Sequence, residues 1–132
     1  AASLIYVFAG DFKVYTGAKV DDKLTREANE MAAKAQGGSK IGAPKATIYV
    51  PGDPYEKVYG FYQGVGKEYQ MPGVSGKTTK LSSGMELKTA FFIFDGAKDL
   101  MSSKRWAKIQ RPYLGLTMEE GPDMTYIIVS EK

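Results

Sequence analysis

Apolar runs at several places along the chain predict β-strands. The clearest run covers residues 87–94, where both alternating sets of positions are apolar after Lys88. Residues 124–129 are also apolar on both faces, which is typical of a strand in the middle of a sheet. Shorter runs of the same character predict further strands at residues 4–8, 46–50 and 105–110.

Two other segments show the 3.6-residue spacing of amphipathic helices. The first begins at Asp21 or Asp22, either of which can cap a helix, and ends at Gly37-Gly38. Its apolar positions fall on a narrow arc made of Leu24, Ala28, Met31 and Ala35. Because alanine is small, we expect this helix to lie close to the element that it covers.

The second helix is predicted from Asp53 to about Gly64. Asp53 is a good N-cap residue, Pro54 suits the first helical position, and Glu56 stands at the capping-box position. The apolar arc of this helix is rich in aromatic rings and consists of Tyr55, Val58, Tyr59, Phe61, Tyr62 and Val65. We expect this arc to pack on the sheet.

The order of the elements, with most strands after the helices, favours an α+β fold. We expect one domain over residues 1–132, with a mostly antiparallel sheet of about 4–5 strands and two helices packed on one face. The composition, 43% hydrophobic and 25% charged, is that of an ordinary globular protein. The chain lacks an apolar run of about 20 residues, so no transmembrane segment is predicted.

Charge and missing residue types narrow the possible chemistry. The 18 basic and 15 acidic residues give a net charge of +3 that is spread along the chain, which does not predict a nucleic-acid partner. The chain has neither cysteine nor histidine, which excludes thiol nucleophiles, Ser-His-Asp systems and the usual zinc sites. We therefore predict neither a metal site nor a cofactor, and a function other than catalysis is favoured.

One stretch looks like part of a phosphate-binding loop, namely Gly76-Lys77-Thr78. A P-loop needs a glycine five residues before Gly76, and that position is Met71. It also needs a buried strand before the loop and a helix after it, and the flanking residues predict neither. We expect a mobile, exposed surface loop that binds no nucleotide.

Acidic side chains support an alternative, catalytic hypothesis. Asp95 and Asp99 lie close together around a predicted turn, and paired carboxylates can act as acid and base. A hydrolase or lyase that uses Asp95 or Asp99 with Tyr62 is therefore an alternative, provided that such groups converge in a pocket. A second acidic group, interpreted as solvated surface, consists of Glu119, Glu120 and Asp123.

The tyrosine content of the chain and the strands that are apolar on both faces favour a binding function. The chain has nine tyrosines, and this residue supplies flat apolar area with a polar tip to pockets and interfaces. If helices cover one face of the sheet, the other face needs a ligand cavity or a second subunit. The candidate residues for binding an unidentified small ligand or protein partner, with a homo-oligomer as one option, are Tyr55, Tyr59, Tyr62, Phe92, Phe94 and Trp106.

Three stretches resemble small exported bacterial proteins of uncharacterised function that share a (P/T)GA…EKVxxFY pattern. They are "VYTGAKV", "YVPGDPYEKVYGFYQGVGKEY" and "LKTAFFIFDGAKDLMSSKRWAKIQRP". The resemblance implies an extracytoplasmic α+β module and supplies no catalytic residues. The start Ala1-Ala2-Ser3 suits cleavage after a signal peptide and equally a shortened chain. With the resemblance, it leads us to predict export to the periplasm or the cell exterior.

Together these features favour an exported, non-enzymatic binding or interaction module. Its ligand or partner is expected on an aromatic sheet face, in a cavity, or beside the second helix. One alternative is the hydrolase or lyase described above, and another is a structural subunit of an envelope assembly. The first alternative requires convergent carboxylate or tyrosine groups, and the second requires a large, flat apolar patch.

Overall fold

The computed structural model describes residues 12–35, 45–70, 79–114 and 120–131. Two helices and seven strands occur within these ranges. In chain order they are β1 (Lys19–Val20), α1 (Asp22–Ala35), β2 (Lys45–Val50), α2 (Tyr55–Gln63), β3 (Lys67–Tyr69), β4 (Thr79–Lys80), β5 (Glu86–Ile93), β6 (Arg105–Arg111) and β7 (Tyr126–Glu131).

The strands pair antiparallel in the order β1-β2-β7-β6-β5-β3, and β4 also pairs with β5. The predicted α+β class is therefore confirmed, with more strands than expected. The additional strands β1, β3 and β4 are only two or three residues long and contain no apolar run. The strand predicted at residues 4–8 and the loop at residues 71–78 lie outside the described residues.

The sheet has two distinct faces, which the strand register defines. Phe92 stands opposite Ala107, and Phe91 stands opposite Lys108, and opposed residues share a face. The face that we call the core face carries Ala90, Phe92, Ala107, Ile109, Ile127 and Val129. The opposite face, called the second face, carries Phe91, Ile93, Trp106, Lys108, Tyr126 and Ile128.

Helix α2 covers the core face with its aromatic arc. Val58 and Tyr62 of this helix are fully buried against the strands. The Tyr62 hydroxyl donates a hydrogen bond to the Lys13 carbonyl over 2.8 Å, so its one polar atom is satisfied. The Phe12 ring stacks on Tyr62 with centroids 5.6 Å apart, which joins the segment before β1 to the core.

The start of α2 differs from the predicted cap. Pro54 is the N-cap residue and no side chain caps the helix, so the prediction that Asp53 is the cap is wrong. The Asp53 carboxylate instead accepts a hydrogen bond from the Tyr15 hydroxyl over 2.7 Å. It also lies 3.6 Å from the ammonium group of Lys57. A contact with a residue 38 positions earlier outweighs the local capping preference.

Helix α1 lies along β2, at an edge of the sheet. Asn29 accepts a hydrogen bond from the Ala46 amide over 2.8 Å and donates one to the Ala46 carbonyl over 2.9 Å. The Thr25 hydroxyl accepts from the Ile48 amide over 2.9 Å, and the Asp21 amide donates to the Ile48 carbonyl. Side chains of α1 thus take the place of a neighbouring strand, which protects this edge from pairing with another chain.

Two glycines near α2 predict opposite effects of substitution by alanine. Gly60 lies inside α2, and a Cβ there meets nothing within 4 Å, so Gly60→Ala is expected to stabilise by about 0.5–1 kcal/mol. A Cβ on Gly66 lies 2.7 Å from Cε1 of the buried Phe94 ring. Gly66→Ala is therefore expected to destabilise by about 1–2 kcal/mol. Urea unfolding of both variants checks the two signs, and equal changes would contradict the packing described around Phe94.

Candidate functional site

A cleft of about 530 Å³ lies between α1 and the segment that leads into β7. We call it the α1 cleft, and its walls are α1, Tyr113, residues 120–122 and Tyr126. This volume is within the range of small-molecule sites in proteins, about 300–1,000 Å³.

The apolar stripe of α1 forms one wall of the cleft. Leu24, Ala28 and Met31 line it, and each of these side chains is only half-buried. Thr25 and Asn29, on the neighbouring side of the helix, hold β2 through the hydrogen bonds described above. Because the polar side of α1 faces the sheet edge, its apolar stripe is left to face the cleft.

The start of α1 fixes one carboxylate in the wall of the cleft. The Asp21 carboxylate accepts a hydrogen bond from the Leu24 amide over 2.9 Å, which is an N-cap contact as the sequence predicts. Asp21 is half-buried and lines the cleft. One of its oxygen atoms is thus held by the helix, and this positions the carboxylate beside the ligand space.

Two tyrosines form the opposite wall. The Tyr113 and Tyr126 rings lie with centroids 5.4 Å apart and tilted by 59°. Tyr126 is only 3% exposed, and none of the described residues hydrogen-bonds to its hydroxyl. The backbone at Tyr113 is held by Gly121, whose amide donates to the Tyr113 carbonyl over 2.7 Å. A Cβ on Gly121 would lie 3.1 Å from the Cβ of Tyr113, so this close approach favours glycine.

Both tyrosines stay protonated near neutral pH. Burial raises the pKa of Tyr113, and the carboxylates of Glu27 and Asp21 raise it further. Burial also raises the pKa of Tyr126, again with a contribution from Asp21. The wall therefore presents neutral hydroxyls within electrostatic reach of two carboxylates.

The charges that line the cleft are predominantly negative. Four carboxylates and two ammonium groups leave a net charge of −2 at the walls. None of these groups takes part in an ion pair within the described ranges. They belong to Asp21, Glu27, Glu30, Glu120, Lys23 and Lys34. An incoming ligand therefore meets acidic groups without an ion-pair partner in the described ranges, although Glu120 accepts hydrogen bonds from the Ser82 and Ser83 hydroxyls.

Comparison with family models, curated proteins and solved structures finds no match to this chain. The resemblance to exported bacterial proteins and the export itself therefore stay predictions. No helix in the described part of the chain is both long enough and apolar enough to cross a bilayer.

The six predicted site residues are divided between the two faces of the sheet. On the core face, Tyr62 and Phe92 are 0% exposed and Phe94 is 4% exposed, so all three are core side chains. Trp106 is half-buried on the second face, with its ring centroid 6.0 Å from that of Phe91. These four side chains do not form one site.

The remaining two predicted residues lie together on α2. The Tyr55 and Tyr59 rings stack with centroids 5.9 Å apart, and both side chains are half-buried. The Tyr59 hydroxyl donates a hydrogen bond to the Glu68 carboxylate of β3 over 2.5 Å. The hydrogen bond between Tyr59 and Glu68 joins α2 to the edge strand β3. Neither Tyr55 nor Tyr59 lines the α1 cleft.

The carboxylates of the catalytic alternative, Asp95 and Asp99, accept hydrogen bonds from nearby residues of the segment between β5 and β6. Asp95 accepts hydrogen bonds from the Ser103 hydroxyl over 2.9 Å and from the Lys104 amide over 2.6 Å. Burial raises the pKa of Asp95, but these hydrogen bonds outweigh burial and lower the pKa below its ordinary value. Asp99 accepts from the Ser102 amide over 2.8 Å. Tyr62 does not join this group, since its hydroxyl is bound to the Lys13 carbonyl on the core face.

The second face carries one unusual basic residue. Lys108 lies at the middle of the sheet between Phe91 and Ile128. Burial lowers the pKa of its ammonium group. Helix α2 packs on the core face, and the main contacts of α1 are with β2. The described residues do not show what covers the centre of the second face.

The residues of the α1 cleft are absent from the candidates that the sequence suggests. The stripe of Leu24, Ala28 and Met31 is visible in the sequence. Its 3.6-residue spacing is the same, however, for a helix that faces a sheet and for a helix that faces a cleft. Tyr126 stands within an apolar run that predicts a strand, and no sequence pattern around Tyr113 marks it as a site residue. Only the antiparallel pairing of β2 with β7 brings the two walls together.

Proposed function

We propose that this protein is a binding module that holds a small ligand in the α1 cleft. The observation that carries the proposal is the cleft itself, in which the half-buried side chains of Leu24 and Met31 line a space of about 530 Å³ together with the tyrosine wall. Tyr126 is 3% exposed and lines the cleft, and its hydroxyl has no hydrogen-bond partner among the described residues. A ligand in the cleft can therefore form a hydrogen bond with this hydroxyl.

The composition of the walls also favours a ligand site. The cleft combines an aliphatic wall, an aromatic wall and a few convergent polar groups, which is the usual make-up of a small-molecule site. An apolar helix stripe that stays half-open to solvent costs free energy, and a ligand body that covers Leu24 and Met31 recovers part of it.

Binding is favoured over catalysis because of the titratable groups present. Efficient general acids and bases have pKa values near the working pH. The pKa values of Tyr113 and Tyr126 are raised above the ordinary tyrosine value, so both phenols are poor proton donors and poor bases at neutral pH. Hydrogen bonding without proton transfer suits such groups.

Filling the cleft is expected to abolish ligand binding. Ala28→Trp places a large ring among Leu24, Met31 and the tyrosine wall, whereas Ala33→Trp adds the same ring to α1 outside the cleft lining. A mixed panel of acidic, basic and neutral fragments is screened by ligand-observed NMR against wild type and both variants. Fragments that bind wild type are expected to bind Ala33→Trp equally and to lose at least about tenfold in affinity for Ala28→Trp.

Two outcomes of this screen contradict the proposal. One is that no fragment of the panel binds wild type. The other is that fragments bind wild type and Ala28→Trp with the same affinity, which would place their site elsewhere. A thermal unfolding curve for each variant establishes that it is folded before the affinities are compared.

A further inference from the structure

We propose that the ligand of the α1 cleft is an organic cation, in which a short apolar body carries a primary ammonium group. This inference rests on the proposed binding function and adds the charge of the ligand to it. The ammonium group lies between the carboxylates of Asp21 and Glu27 and the tyrosine wall. The apolar body lies along Leu24, Ala28 and Met31.

The imbalance of charge is the first argument. The cleft has four carboxylates against two ammonium groups. Lys23 and Lys34 are exposed, as are Glu27 and Glu30, so these four charges are screened by solvent and largely offset one another. Asp21 is half-buried and held by its bond to the Leu24 amide, so its charge stays at the cleft. A cation is attracted to this arrangement, and an anion is repelled by it.

The aromatic wall is the second argument, and it is independent of the carboxylates. The face of a tyrosine ring attracts an ammonium group within about 6 Å of the ring centroid. Tyr113 and Tyr126 both line the cleft, with their ring centroids 5.4 Å apart. Because Tyr126 is only 3% exposed, the ring that a cation can contact is the half-buried Tyr113 ring, against which Tyr126 packs.

The third argument is the hydrogen-bonding capacity of the Tyr126 hydroxyl. A phenol oxygen accepts hydrogen bonds, and an ammonium group offers three donors. A primary ammonium group can donate one to Tyr126 and others to the carboxylates of Asp21 and Glu27. Hydrogen bonds from a charged donor to a carboxylate are about twice as strong as neutral ones. A neutral or anionic ligand lacks this combination.

A metal cation fits the cleft less well than an organic one. Hard divalent cations take about six to eight oxygen ligands, several of them from clustered carboxylates. No cluster of three or more acidic residues able to hold a metal ion occurs in residues 12–35, 45–70, 79–114 and 120–131. The aliphatic wall of Leu24 and Met31 offers nothing to a bare ion and suits a carbon body.

Three probe molecules of similar size and shape but different charge test how the charge of a ligand affects its affinity for the cleft. They are 2-phenylethylamine, 2-phenylethanol and 3-phenylpropionate, which are cationic, neutral and anionic at neutral pH. Titration followed by protein NMR shifts is expected to give the amine a Kd of about 1 mM or tighter. The alcohol is expected to bind about tenfold more weakly, and the acid more weakly still.

A double variant tests whether the two carboxylates cause the preference. In Asp21→Asn/Glu27→Gln the asparagine keeps the helix cap and the glutamine keeps the size of the side chain. The tenfold advantage of the amine is expected to fall to about twofold, while the Kd of the alcohol stays unchanged. The matched control Glu56→Gln/Glu131→Gln removes two exposed carboxylates outside the cleft lining and is expected to keep the full advantage.

The outcomes distinguish this inference from the binding function on which it rests. If the alcohol or the acid binds as tightly as the amine, and Ala28→Trp blocks that binding, the cation inference is overturned and the binding function stands. If none of the three probes binds, the cation inference is overturned, and the mixed fragment panel decides the binding function separately. An amine preference that survives in the Asp21→Asn/Glu27→Gln variant also overturns the inference.

Discussion

Replacing Phe92 with alanine is expected to lower the free energy of unfolding by about 3–5 kcal/mol. Phe92 is 0% exposed and lies at the centre of the core face. Its ring centroid is 5.6 Å from that of Tyr59 and 6.1 Å from that of Tyr62, so it joins α2 to the middle of the sheet. Alanine leaves a cavity that neither helix nor sheet can close without losing other contacts.

Urea denaturation measures this effect, and Phe92→Leu is the matched control. Leucine keeps most of the buried apolar area, so its cost is expected to stay below about 1.5 kcal/mol. The alanine variant is also expected to unfold with an unchanged dependence on urea concentration, since the surface exposed on unfolding is nearly the same. A loss of less than about 1 kcal/mol in Phe92→Ala would contradict the central position of this ring.

Replacing Asn29 with alanine is expected to cost about 2–3 kcal/mol. The Asn29 amide group donates to the Ala46 carbonyl and accepts from the Ala46 amide, as a neighbouring strand would do. It also donates to the Thr25 carbonyl over 2.9 Å. Alanine removes all three bonds and leaves two polar groups of the β2 backbone facing the apolar methyl group.

The control for this prediction is Glu30→Ala, one residue further along the same helix. Glu30 is exposed, and its replacement is expected to change stability by no more than about 0.5 kcal/mol. Because Asn29 blocks the edge of β2, the alanine variant is also expected to aggregate at lower protein concentration than Glu30→Ala. Equal unfolding midpoints of Asn29→Ala and Glu30→Ala would refute the role of Asn29 at this edge.

Much of the fold follows from local sequence patterns. The helix that begins beside Asp21 and the strand Glu86–Ile93 are found where periodicity and apolar runs place them. These predictions succeed because each depends on a period that the chain itself carries. The prediction of an Asp53 cap fails because the Tyr15 hydroxyl, distant in sequence, binds the carboxylate instead.

The candidate site could not be predicted in the same way. The apolar arc of α1 reveals that this helix must cover something, yet the helix turns its polar side chains Thr25 and Asn29 to β2. A helix packed on a sheet face buries its stripe, whereas a helix bound to a sheet edge leaves the stripe beside the sheet. Sequence periodicity is identical in the two cases.

The sequence alone determines the α+β class, the central strands and the two helices of this protein, because hydrophobic periodicity and turn residues act locally. It also excludes the chemistries that need cysteine or histidine. The tertiary structure decides which aromatic rings are core and which line a cleft. Tyr62 and Phe92 become core, and Tyr113 and Tyr126 become a cleft wall. Strand pairing and side-chain contacts between distant residues decide which rings are core and which line the cleft. A local sequence pattern cannot predict these contacts because they join residues far apart in the chain.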